Sequence, residues 1–102
     1  MGSDARRKAD AHHKMGIMRY RQGILQAAIH QLRAALSVDP AHEPSYAALA
    51  AIYIEMRFWD EALDVCRQGL QRCKQRAQLH KLTIDALGLR GSLADAFAHY
   101  QL

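Results

Sequence analysis

The feature that most constrains this chain is a repetition at a fixed interval. Ala28, Ala62 and Ala96 stand 34 residues apart, as do Leu25, Trp59 and Leu93, then Ile29, Leu63 and Phe97, then Leu32, Cys66 and Tyr100. Gly23 and Gly91 lie two periods apart, with Arg57 at the position between them. Self-similarity at such a period means a supersecondary unit that cannot bury its apolar face alone and must stack on its neighbours. Each unit reads as two short amphipathic helices. Ile24, Leu25, Ala28, Ile29, Leu32, Ala35 and Leu36 keep the 3/4 spacing of one helical face, and so do Tyr46, Leu49, Ala50, Tyr53 and Ile54.

Breakers fall between these stripes. Gln22-Gly23 and Arg57-Phe58 are the expected turns within hairpins, and Pro40 ends the second helix because the residue before proline is pushed out of the α region. Pro44 fits an early position in the third helix. The fourth runs from Trp59 through Ala62, Leu63, Cys66, Gly69 and Leu70, followed by a polar connector over 71–75. A fifth is expected over about 77–89. Ser92 with Asp95 resembles a capping box opening a sixth, which carries Leu93, Ala96, Phe97 and Tyr100. Ser3 or Asp4 can cap the first. No stretch alternates apolar and polar residues as a strand does, so the fold expected is all-α.

Composition excludes several functions. The longest nearly unbroken apolar stretch, Tyr46 to Ile54, is less than half of what spans a bilayer, so no membrane insertion is expected. Cys66 and Cys73 lie two helical turns apart, roughly 10 Å and beyond disulfide reach. Without CxxC spacing they read as core thiols in a reducing compartment, and the localisation expected is cytoplasmic. His12, His13, His30, His42, His80 and His99 are scattered and read as surface residues, so neither a metal site nor a cofactor is expected. No G-x-S-x-G, phosphate-cradling glycine loop or close carboxylate pair suggests an enzyme. The net charge is +4, and Arg67, Arg72, Lys74, Arg76 and Lys81 form a carboxylate-free run. No aromatic side chains alternate with these cations, which disfavours nucleic acid as a partner.

The pattern resembles the tetratricopeptide repeat, whose signature is W-x2-L-G-x2-Y, then A-x3-F, then P. The first copy reads His12-x2-Met15-Gly16-x2-Arg19, Ala28-x3-Leu32 and Pro40; the second Tyr46-x2-Leu49-Ala50-x2-Tyr53 and Ala62-x3-Cys66, with Lys74 where proline would stand. The third is weak at His80-x2-Thr83-Ile84-x2-Leu87 and returns at Ala96-x3-Tyr100. The resemblance implies one domain over 1–102 with repeats of about 9–42, 43–76 and 77–102, the last truncated. It implies six antiparallel helices in a right-handed solenoid. Gly16, Ala28, Leu32, Ala50, Ala62, Cys66, Ala96 and Tyr100 would then pack the repeats.

First helices of such repeats line a concave wall that takes a peptide or helix of a partner protein. The resemblance places there His13, Ile17, Tyr20 and Arg21, then Ala47, Ala48, Ala51, Ile54 and Glu55, then Gln78, Lys81, Leu82 and Asp85. Members that hold the C-terminal carboxylates of heat-shock chaperones use lysines, asparagines and an arginine at places occupied here by His13, Ile17, Ala48, Gln78 and Leu82. None matches, which argues against that ligand. Repeat arrays need a polar terminal cap, and none follows Tyr100. The chain therefore reads as part of a longer array or, as the alternative function, as a self-assembling scaffold unit forming homo-oligomers.

Overall fold

The computed structural model describes residues 2–73, 79–84 and 86–88. Four helices run in order: α1 Gly2–Arg21, α2 Leu25–Val38, α3 Glu43–Glu55 and α4 Trp59–Arg72. Residues 79–84 and 86–88 are helical as well, and no strand occurs among the described residues. Lys74 to Ala77, Gln78, Asp85 and the expected sixth helix, with Ala96 and Tyr100, lie outside them.

Neighbouring helices pack as hairpins, α1 on α2 and α3 on α4, and the hairpins join through α2 against α3, with a smaller contact of α1 with α3. Both hairpin turns are closed the same way. Gly23, at φ 80°, donates its N–H to the Tyr20 carbonyl (2.9 Å), and Ile24 donates to the Arg19 carbonyl (2.9 Å). One period later Arg57, at φ 63°, donates to Ile54 (3.0 Å) and Phe58 to Tyr53 (2.8 Å). Each is a Schellman motif, which satisfies the orphan carbonyls of a helix end through one residue in the left-handed region. In the second, the Phe58 and Tyr53 rings also meet, 6.4 Å between centroids. Ile24 and Phe58 then open the next helices, their carbonyls accepting from Ala28 and Ala62 (3.0 Å each).

Two boundaries differ from the sequence-based expectation. α1 begins at Gly2, so Asp4 lies in its first turn, where a carboxylate complements the helix dipole, and Ser3 is inside the helix. α4 continues through Gln71 and Arg72, with a cation in its last turn opposite the negative dipole end.

The second helices present equivalent faces to the interior. Ala28, Leu32 and Ala35 of α2 are buried, as are Ala62, Cys66 and Gly69 of α4, each 34 residues on. Small residues allow the close approach. A Cβ on Gly16 would stand 2.9 Å from Leu32 Cγ and 3.3 Å from the Ala28 carbonyl oxygen. One on Gly69 would stand 2.7 Å from Leu79 Cδ1 and 2.9 Å from Tyr46 Cγ. Gly69 thus lets α4 accept both its hairpin partner and the helical segment that follows. First helices differ in depth. Tyr46 and Leu49 of α3 are 2% exposed, whereas Met15, the α1 counterpart of Leu49, is 43% exposed. α3 has neighbours on both sides, which explains the difference.

A candidate partner-binding groove

The small residues of α3 leave a depression where it passes α1. Ala51 is exposed and Ala48 half-buried, so the helix offers methyl groups and backbone instead of long side chains. Ile17, Tyr20, Ala48, Ala51, Ile52 and Glu55 line a recess of about 160 Å³ between the two helices. A shallower one of about 470 Å³ continues along α1 over His13, Lys14, Ile17, Met18 and Arg21. Ile17 belongs to both. The Tyr20 hydroxyl donates to Glu55, tying α1 to α3 at the end of the recess. That bond, more than burial, raises the phenol above its ordinary pKa, because the carboxylate stabilises the protonated form.

The structure brings His13, Ile17, Tyr20, Arg21, Ala48, Ala51 and Glu55 to this groove. Ala47 does not line it. At 4% exposure it sits in the hydrophobic core, its single methyl ending among neighbouring side chains. Ile54 is half-buried against the same core. Lys81 is exposed and Leu82 packs against the core, and neither recess includes them. Lys14, Met18 and Ile52, which sequence reasoning missed, complete the lining. They neighbour Ile17 or Ala51 by one position or one turn, and only the crossing of α1 over α3 selects them.

A third recess, of about 260 Å³, lies on the other face of α3 between α2 and α4, with Arg33, Tyr46, Tyr53, Asp64 and Arg72 in its lining. Several of its polar groups are engaged with each other or with the chain: Arg33 donates to the Tyr53 hydroxyl (2.6 Å), Tyr46 to the Pro40 carbonyl (2.8 Å), and Asp64 accepts from Arg67 and Gln68. The α1–α3 groove presents the exposed side chains of Lys14, Met18, Arg21 and Ala51, and it is the docking candidate.

Among the described histidines, one is not at the surface. His42, expected to be exposed, is fully buried at the start of α3. Its Nε2 lies 2.6 Å from Asp10 Oδ1 on α1 and its Nδ1 2.7 Å from Ser45 Oγ. The Nε2–H donates to the Asp10 carboxylate, and Nδ1 shares a hydrogen bond with the Ser45 hydroxyl. The His13 ring meets it edge-on, 5.8 Å between centroids. Hydrogen bonding from His42 holds the Asp10 carboxyl below its ordinary range, while burial and then the proximity of His42 depress His13. Aspartate, histidine and serine stand in the order of a catalytic triad, but Ser45 has no exposed surface for a substrate to reach. The network joins α1 to α3 beside the groove.

Cys66 and Cys73 are both buried, and neither is in a disulfide. Among the described residues no cluster of three His, Cys, Asp or Glu side chains could hold a metal ion, and no helix is long and apolar enough to cross a membrane. A scan against protein-family models and a search of curated proteins return no match.

Proposed function

We infer that the chain is a tetratricopeptide-like interaction module that captures a segment of another protein in the α1–α3 groove. The observation that carries this reading is the recess between Ile17 and Tyr20 of α1 and Ala48, Ala51 and Ile52 of α3. The 34-residue recurrence of the turn at Gly23 and Arg57 and of the buried faces of α2 and α4 supports the repeat family. Continued at that interval, the helices extend into the six-helix, right-handed solenoid of such repeats. In this reading the protein binds and does not catalyse, and buried cysteines outside any disulfide suit the cytoplasm.

Ala51→Arg tests the groove. Ala51 is exposed, so the arginine extends over the recess without entering the core. Capture of partner proteins by the immobilised chain is lost while helicity by circular dichroism is unchanged; undiminished capture refutes the assignment. A self-assembling scaffold is the second reading. Ile84 and Leu87, 67% and 51% exposed, favour it as apolar surface that a second copy could cover. A monomer by light scattering at high concentration refutes it.

A further inference from the structure

The net charge is placed unevenly. α1 holds six cations (Arg6, Arg7, Lys8, Lys14, Arg19 and Arg21) against Asp4 and Asp10, a surplus of four. That equals the +4 of the whole chain, because the remaining residues hold eight cations and eight carboxylates. One helix therefore supplies the entire imbalance, and it is the helix that forms a wall of the groove.

Within the groove the bias is sharper. Lys14 and Arg21 border the shallow recess, and both are exposed. Glu55 is the one carboxylate in the lining of either recess, and it is occupied by the Tyr20 hydroxyl. Of the two carboxylates on α1, Asp10 is bonded to His42. Lys14 and Arg21 are two helical turns apart, about 10 Å along the axis. Ile17 and Met18, the latter 56% exposed, lie between them.

We propose that the groove selects an acidic peptide segment with an aliphatic residue between two carboxylates, which pair with Lys14 and Arg21 while the aliphatic side chain seats on Ile17 and Met18. This rests on the groove being a docking site and adds the chemistry of its occupant. In an extended peptide, carboxylates four residues apart project to one face with the aliphatic residue midway between them; their separation of about 13 Å is within reach of the long Lys14 and Arg21 side chains, whose backbone positions are about 10 Å apart. A membrane surface is less suited, since the recess at Ala48 and Ala51 lies between two helices and a flat bilayer does not enter it.

The test uses rhodamine-labelled peptides in which leucines are flanked by glutamate, by glutamine or by lysine, read by fluorescence anisotropy. The glutamate peptide binds about tenfold more tightly than the glutamine peptide at low salt, and high salt closes the gap. Lys14→Gln with Arg21→Gln brings the glutamate peptide to the affinity of the glutamine peptide and leaves the latter unchanged. Equal binding of glutamate and glutamine peptides by the unaltered chain overturns the charge selection but leaves the groove standing. If Ala51→Arg then fails to reduce binding of either peptide, the groove itself is refuted. Sedimentation with phosphatidylserine vesicles, abolished in the double variant while peptide binding is untouched, overturns the proposal in favour of an anionic lipid surface.

Discussion

Arg57 occupies a backbone conformation that favours glycine, which makes Arg57→Gly the most direct probe of the hairpin turns. For an L-residue the left-handed region costs roughly 1–2 kcal/mol through the clash of Cβ with the following carbonyl. Arg57 at φ 63° bears that cost at the end of α3, whereas Gly23 at φ 80° does not bear it at the end of α1. Glycine in turn adds about 0.5–1 kcal/mol of freedom to the unfolded chain. The difference leaves Arg57→Gly stabilising by about 0–1.5 kcal/mol, centred near 0.75, which is about 3–6 °C in melting temperature for a domain of this size. Gly23→Ala should do the reverse. Nothing lies within 4 Å of where its Cβ would stand, so the backbone alone sets the loss. Arg57→Ala separates the effects, because it removes the guanidinium but keeps the Cβ, and it should be near neutral. Urea unfolding followed by circular dichroism gives the midpoint shift, and an unchanged slope shows that the unfolded state is comparable. A destabilised Arg57→Gly would falsify the strain account and assign the guanidinium a stabilising role.

Gly16→Ala gains about 1 kcal/mol of helix propensity but overpacks against Leu32 by about 1–3 kcal/mol, so a net loss is expected. Its urea midpoint falls, and less so when Leu32→Cys makes room; a rise in the midpoint contradicts the contact. His13 and Asp10 both titrate below their ordinary values of 6.5 and 3.8. Each binds protons less readily folded than unfolded, so their contribution is complete above about pH 7 and declines as the solution is acidified through those values. The urea midpoint should drop between pH 7 and 5, and His13→Gln should flatten that part of the profile; a midpoint that rises on acidification contradicts the sign. Burial raises the Cys66 thiol above its ordinary pKa, so a thiol reagent should label it slowly until urea unfolds the chain, and rapid labelling of the native protein contradicts its burial.

The helices and turns are legible in the sequence because they depend on local signals repeated at a fixed interval. Gly23 marks its turn through its own chemistry. Arg57 marks nothing by itself, and its left-handed backbone is deducible only by stepping 34 residues from Gly23. The groove is legible in outline, since Ile17 and Ala51 project from first helices, but its edges are not. Ala47 and Ala51 are one turn apart on α3, yet one is covered and the other exposed. That distinction depends on how tightly the surrounding elements close, a property of packing and not of periodicity. The His42 network is hidden for a different reason. Its partners are Ser45, three residues away, and Asp10, 32 residues away, and no local pattern links the second to the first.

The two hairpins also show why neither copy carries the whole repeat signature. The first packs Gly16 against Leu32, where an added Cβ would be 2.9 Å from Leu32 Cγ. One period later stand Ala50 and Cys66, both without exposed surface. The second copy has a methyl more on the first helix and a smaller side chain on the second. A close-packed interior constrains the volume of the pair more tightly than the identity of either member. Substitutions that exchange volume between partners therefore keep the distance between helices while erasing the residue types by which a repeat is recognised. The same trade holds at the turns, where the conformation at Gly23 persists at Arg57 although the glycine does not. What recurs at the 34-residue interval is geometry, and the residues follow it only as far as size and backbone freedom require.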